Sequence, residues 1–307
     1  MVFWIFWACA LATTTLAANT KFKVGQKYQI ILSSVPTIPS NPATKVIPTD
    51  AEVFDIDAFE AEPSTIAALQ AEGKTVLCYF SAGTYEDWRP DKDQFTAADK
   101  GQSLAPEWPD EYWLKLGSAN VRRIMTTRIQ MAATKGCDAV DPDNTDGYQN
   151  PTGNVTVTQK DSIDYVHFLS GIATGLNMTV GLKNSLAIIS EVAEVVSFAV
   201  NEQCTQYGEC AGYTNFLASG KPVFHIEYSD KIPPANDQRT SACLPTPSGL
   251  STVFKHMILD GIVSYCDGSV DTTATKPGDP NIPPPKPKTS SAGFTCKVSN
   301  PYYSQCL

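Results

Sequence analysis

Between residues 26 and 268 short apolar runs rich in β-branched and aromatic residues recur along the chain, and most are separated by stretches with apolar residues at helical spacing. YQIILSS (28–34), VFDIDAF (53–59), TVLCYFSAG (75–83), DAVDPDN (138–144), TVGLKN (179–184), FAVNEQC (198–204), PVFHIEYS (222–229) and IVSYCDG (262–268) read as strands. PSTIAALQAEG, SANVRRIMTTRIQMAATKG, TQKDSIDYVHFLSGIATG and TPSGLSTVFKHMILDG read as helices. This alternation predicts an α/β chain folded as a (β/α)8 TIM-like barrel. An open doubly wound sheet is the competing architecture, but the sequence has no glycine-rich phosphate loop to support it.

The barrel reading gives meaning to the stretch GCDAVDPDNTDGY, which holds Asp138, Asp141, Asp143 and Asp146. Such a run is also what a solvated Asn/Asp/Gly turn looks like. A turn does not explain why the same polarity returns where other strands end, at Asp55, Asp57, Ser81, Lys183, Asn184, Asn201, Glu202, Glu227 and Asp267. In a barrel of this kind the C-terminal strand ends line the active site. Period-two alternation sets Asp55 and Asp57 opposite Phe54 and Ile56, and Asp141 and Asp143 opposite Val140. Glu202 shares a face with Phe198 and Val200, so alternation alone does not aim it inward.

Residues outside the barrel set the compartment. VFWIFWACALATTTLAA near the start reads as a secretory signal over 1–17, too short to span a bilayer, which predicts a secreted, extracellular protein with no membrane span. Of nine cysteines, Cys9 leaves with the signal, and the rest fit an oxidising compartment. Cys204 and Cys210 bracket a short loop and are expected to pair, as are Cys243 and Cys266; Cys78 and Cys137 are either paired or buried thiols. With no C-x-x-C pair and only three histidines, no metal site is expected, and no cofactor. Asn154 and Asn177 begin glycosylation sequons. A net charge of −9 argues against nucleic acid and suits a cationic or neutral ligand. One barrel, taken as residues 18–268, implies a monomer by default. Residues 269–291 read as a proline-rich linker and 292–307 as a cysteine-bearing tail.

A barrel with many carboxylates and neither metal nor cofactor motif suits glycoside hydrolysis, which needs one protonated and one ionised carboxyl. FDIDAFE, VLCYFSAGTYEDWRPD, WPDEYW, GCDAVDPDNTDGY, VGLKN, FAVNEQC with YGEC, and GKPVFHIEYS together resemble glycoside hydrolase family 114, over about residues 50–268. The resemblance implies an endo-α-1,4-polygalactosaminidase acting on a galactosamine-containing polysaccharide. It implies an aspartate of the fourth strand as nucleophile, Asp143 with Asp141 as its alternative, and Glu202 of the sixth strand as acid/base. A retaining outcome would follow from close carboxyls. Asp55, Asp57, Tyr79, Trp88, Lys183, Asn184, Asn201, Glu227, Tyr228 and Asp267 are the expected substrate contacts, with salt bridges and core packing as the plain alternatives. Trp108 is a further candidate for stacking on sugar rings. The chain departs from the family at YQIILSS, where a tryptophan-containing first strand is expected.

CKVSNPYYSQCL resembles the end of a family 1 carbohydrate-binding module, with Tyr302, Tyr303 and Gln305 as contact residues. The first half of such a module is missing, and a vestigial tail with Cys296 paired to Cys306 is the favoured reading. Two other functions compete: a barrel glycosidase for a neutral galactoside or another amino-sugar polymer, and a barrel that binds polysaccharide without cutting it.

Overall fold

The computed structural model describes residues 21–278, except 107 and 245–246, and the backbone of 296–300 and 303–306. The expected signal segment lies outside the described residues, as do the side chains of the tail residues Tyr302, Tyr303, Gln305, Cys296 and Cys306. The backbone of Cys296–Asn300 and Tyr303–Cys306 forms an antiparallel pair.

The core is one curled ten-stranded sheet of mixed α/β architecture, TIM-like in order and direction. Its first eight strands run parallel: Tyr28–Ile31, Val53–Asp57, Thr75–Ser81, Ala139–Asp143, Thr179–Lys183, Phe198–Glu202, Val223–Tyr228 and Ser251–Lys255. Ile262–Tyr265 and Val270–Thr272 then add two antiparallel strands. The first strand is tied to this far end of the sheet. Leu32 N–H donates to Leu259 O at 2.9 Å, Tyr265 Oη to Tyr28 O at 3.1 Å, and the Gln29 amide to Gly261 O at 3.0 Å.

The eighth parallel strand therefore differs from expectation. STVFK, read as part of a helix, is strand, and the run expected to be the eighth strand pairs antiparallel to it. The helical reading drew on the spacing of Val253, Phe254, Met257 and Ile258. Met257 and Ile258 instead stand on a loop, 45% and 46% exposed, while the β-branched and aromatic residues before them pack in the sheet. Residues 270–276, which the composition grouped with the linker, also belong to the folded body. Thr275–Lys276 pairs with Val35–Pro36, just after the first strand.

The helices form for local reasons. Ala119–Lys135 is capped by the Ser118 hydroxyl, which accepts from Val121 N–H, and ends at Gly136 with φ 93°. Gln159–Gly175 begins with a reciprocal Thr158/Asp161 capping box, and Pro63–Ala71 with proline in its first turn. Their apolar faces (Ile66 and Leu69; Ile124 and Ile129; Tyr165 and Leu169) cover the outward residues Phe54, Ile56, Val76, Phe80, Val140 and Val180. A second core fills the inside of the curl with Tyr28, Ile30, Val53, Leu77, Phe198, Val200, Phe224, Ile226 and Val253. Gly181 leaves room there for Phe198, whose ring would lie 2.2 Å from a Cβ at that position.

Between the third and fourth parallel strands the chain makes a separate antiparallel sheet of Thr84–Glu86, Lys100–Leu104 and Trp108–Leu114. Buried arginines fasten this segment to the barrel. Arg89 pairs with Asp57 at 2.7 Å and Glu86 at 2.8 Å, and Arg128 pairs with Asp91 at 2.8 Å and donates to Ser81 O at 2.7 Å.

Candidate active site

Above the inner apolar core, the C-terminal ends of the parallel strands open into a cavity of about 760 Å³. Alternation decides which side chains reach it. Along the sixth strand Phe198 and Val200 point into the curl and Glu202, on the same face, emerges at the floor of the cavity. The face that looked buried in core is the one that reaches the cavity, because the inside of a barrel is apolar at its base and polar only at its mouth.

Lys183 stands at the centre. Its ammonium, 1% exposed, lies 3.2 Å from Asp143 Oδ2 and 3.5 Å from Glu202 Oε2. Asp143 also accepts from Tyr79 Oη at 2.9 Å and from Asn144 N–H at 2.7 Å. Glu202 accepts from the Tyr228 hydroxyl and from Asn184 Nδ2 at 3.0 Å, and its own N–H donates to Asn184 Oδ1 at 2.9 Å. Burial pushes the Glu202 carboxyl up, but Lys183 and the Tyr228 and Asn184 hydrogen bonds outweigh it and hold the group below its usual range. Burial, then Asp143, raises the Tyr79 hydroxyl, and burial, then Glu202, raises that of Tyr228, so both remain donors.

Three of the residues that follow these side chains are left-handed: Asn144 (φ 61°), Asn184 (φ 48°) and Gln203 (φ 65°). Asparagine tolerates this region and glutamine does so at a cost of about 1 kcal/mol or more. Each turns the chain sharply off its strand, leaving the preceding side chain at the strand end, on the cavity. The Cys204–Cys210 disulfide and a hydrogen bond from Thr205 N–H to Glu227 Oε1 at 2.9 Å fasten the segment after Glu202.

Of the residues singled out from sequence, Asp57, Tyr79, Asp143, Lys183, Asn184, Asn201, Glu202 and Tyr228 line the cavity. Asp57 is nevertheless fully engaged, by Arg89 and by the N–H groups of Phe59 and Glu60 at 2.8 and 3.0 Å, which gives it the salt-bridge role rather than a sugar contact. Asn201 faces the Cys204 N–H at 3.1 Å. Asp55 and Asp141 are wholly buried and lie outside the cavity lining.

Glu227 is behind the wall, bonded to His225 Nε2 at 2.8 Å, because it alternates with the inward Ile226 and Tyr228. Asp267 is on the surface beside Lys27 at 3.9 Å, since the strand that carries it runs antiparallel and ends away from the mouth. Trp88 is half-buried outside the lining, whereas Trp108 lines it. Asp138 belongs to the opposite end, where it accepts from Val76 N–H at 2.9 Å.

The cavity also holds residues that strand-end reading missed. Glu86, Arg89, Glu111 and Trp113 come from the antiparallel insertion, and Asp146 and Glu209 from loops. Asp146 was visible in the aspartate-rich stretch, and Glu111 and Arg89 in WPDEYW and EDWRPD, but nothing local in those motifs says that the insertion folds back over the mouth. Burial, then Asp143, raises Asp146 to about 7; burial, then Asp146, raises Glu209 to about 7. Burial, then Glu86, raises Glu111 well above the usual range. Among the described residues no cation pairs with these three. Disulfides join Cys78–Cys137, Cys204–Cys210 and Cys243–Cys266; the first of these settles what the sequence left open.

Two carboxylates thus share one ammonium at the mouth of a parallel TIM-like sheet, and a pair of carboxyls at a cavity is what glycoside hydrolysis requires. The match of residues 10–271 to the model of glycoside-hydrolase family GH114 makes the chain a member of that family and a glycoside hydrolase. Ega3 of Aspergillus fumigatus, solved in complex with galactosamine, shares 48% identity, with 81% of this chain and 98% of that one covered and a TM-score of 0.75. The glycoside hydrolase domain of PelA from Pseudomonas aeruginosa shares the fold at 14% identity, covering 76% and 95%, TM-score 0.55. An α-galactosidase from Thermus thermophilus does so at 11% identity, covering 74% and 58%, TM-score 0.50. A comparison with curated proteins finds no match.

Proposed function

We propose that this glycoside hydrolase is a secreted, endo-acting enzyme that cleaves α-1,4 bonds in galactosamine-containing polysaccharide, with Asp143 as nucleophile and Glu202 as acid/base. The observation that carries the reading is Lys183 set between the two carboxylates. Oxygens at 3.2 and 3.5 Å from one nitrogen are separated by no more than the sum of those distances. That limit includes the spacing of retaining enzymes, about 5–5.5 Å, and barely touches that of inverting ones, about 6.5–9.5 Å. Asp143 Oδ then attacks the anomeric carbon while the Glu202 carboxyl gives its proton to the leaving glycosidic oxygen. In the second half Glu202 takes a proton from water, which displaces Asp143.

The substrate class is supported by the galactosamine held in the 48%-identical relative and by the charge of the cavity. Glu86 and, above pH about 7, Asp146 and Glu209 add to the charge of the central pair, against Arg89 and Lys183, both engaged in ion pairs. An ammonium-bearing sugar supplies the cations that Asp146 and Glu209 lack. Three disulfides and the exposure of Asn154 and Asn177 suit secretion and glycosylation.

One observation favours a second assignment: Glu202 is held below its usual range, which suits a nucleophile, while Asp146, at about 7, suits a proton donor. The test is mass spectrometry of products from partly de-N-acetylated polygalactosamine, with Asp143→Asn and Glu202→Gln beside the wild type. Short oligomers from the wild type and a fall of about 10³-fold or more in both variants support the reading. A mechanism-based label recovered on the Glu202 peptide would favour the second assignment, with Glu202 as nucleophile and Asp146 as proton donor. No oligomers from the wild type would remove the substrate.

A further inference from the structure

Two carboxyls beneath the cavity floor take no part in the chemistry above. Asp55 and Asp141 are each 0% exposed, and none of their oxygens meets a hydrogen-bond donor among the side chains and backbone described. The two carboxyls turn into the curl from the strands on either side of the third, Asp55 in register with Leu77 and Asp141 with Tyr79, and each lies within reach of the other. Two carboxylates present acceptors only, so a hydrogen bond between them exists only when one carries a proton. Both ionised, they would be like charges out of water, the arrangement that drives one of a pair to protonate.

The groups around Asp141 are few. Tyr28 from the first strand, Asp55 from the second, Tyr79 beside it in register on the third, Asp143 on its own, Lys183 from the fifth and Glu202 from the sixth are the titratable neighbours. The Tyr28 hydroxyl is buried without a partner as well. Lys183 is the one cation in this set, and its contacts at 3.2 and 3.5 Å are with Asp143 and Glu202 rather than the buried pair.

We propose that Asp55 and Asp141 hold one proton between them and act as a positioning pair, with Asp55 donating to Asp141 and the remaining charge competing with Asp143 and Glu202 for Lys183. This rests on reading Asp143 and Glu202 as the catalytic pair. The direction of the donor follows from the surroundings. Burial, then Asp141, pushes the Asp55 carboxyl well above the usual range; burial also raises Asp141, Lys183 pulls it back, and it lies at about 7. Below that pH a second proton neutralises the pair and Lys183 serves the upper carboxylates alone. Above it the charge on Asp141 raises the proton affinity of Glu202 and extends the pH range over which Glu202 is an acid.

Two measurements test this. Infrared difference spectra at pH 8, taken without substrate, should contain a protonated-carboxyl carbonyl band that Asp55→Asn removes. The alkaline limb of kcat/KM, which reports the free enzyme, should move about one pH unit lower in Asp141→Asn. In Asp55→Asn, which keeps a donor toward Asp141, the limb should hold its position. An acid band of unchanged strength in Asp55→Asn would overturn the proposal. So would an Asp141→Asn profile lowered equally at every pH, the result of a merely structural role. The infrared measurement needs no turnover, so an inactive wild type would defeat the substrate reading and leave this one testable.

Discussion

Removing Lys183 leaves Asp143 and Glu202 facing each other with no cation between them. Breaking a buried pair by deleting one partner costs about 3–5 kcal/mol, and the 15% and 23% exposure of the two carboxylates brings the cost to the lower end, about 3 kcal/mol. Lys183→Met should therefore lower the melting temperature by about 6–10 °C in a chain of this size and abolish measurable turnover, which calorimetry and a product assay check together. Asp146 and Glu209 predict a pH dependence of binding. Both lie near 7 because burial raises them, so they are neutral below that pH and anionic above it. KM for a cationic oligosaccharide should fall as pH rises through about 7, and Asp146→Asn should flatten that fall several-fold.

At this scale the central pair and its lysine were legible in the sequence because each closes a strand. Glu202 was harder to place, since an apolar neighbour two positions back usually marks the face turned away from a site. Asp57 was legible as a strand-end acid but not as the partner of Arg89, a contact made 32 residues along the chain.

The elements divide the work of stability and of positioning. Cys78–Cys137 spans 59 residues and Cys204–Cys210 only 6. Loop-closure entropy assigns about 4 kcal/mol to the first and about 2 kcal/mol to the second. Replacing the long-range pair with serines should give the larger loss in denaturant midpoint. Replacing the short one should cost less stability but lower kcat, because Cys204 is two residues from Glu202 and holds the turn that begins at Gln203. Unfolding curves and steady-state kinetics on the two double variants separate these outcomes. The helices were read correctly where caps and spacing agreed, as in Ala119–Lys135. Ser251–Lys255 was misread because five strand residues run straight into two loop residues that extend an apolar helical spacing, and only pairing with Val223–Tyr228 resolves it. The antiparallel insertion, which supplies Glu86, Arg89, Trp108, Glu111 and Trp113 to the cavity, is polar and built of short strands, and buried arginines bind it to the barrel.

Across the whole molecule, residues 21 and 278 sit at opposite poles. Lys21 reaches Asp138 and Phe22 packs on Phe198 with ring centroids 4.8 Å apart, both at the base of the sheet. Thr275–Lys276 pairs with Val35–Pro36, and Gly278 lies against Glu60, both just past strand ends on the side of the mouth. A bead or matrix coupled through residue 21 thus leaves the mouth facing solution, and a bulky partner fused after residue 278 shares the space through which a polymer must approach. The enzyme coupled at its N-terminal side should keep its rate on long chains and on trimers alike. A globular fusion at the other end should slow long chains several-fold while trimers are cut at the original rate, a difference that reads out as steric access rather than lost chemistry.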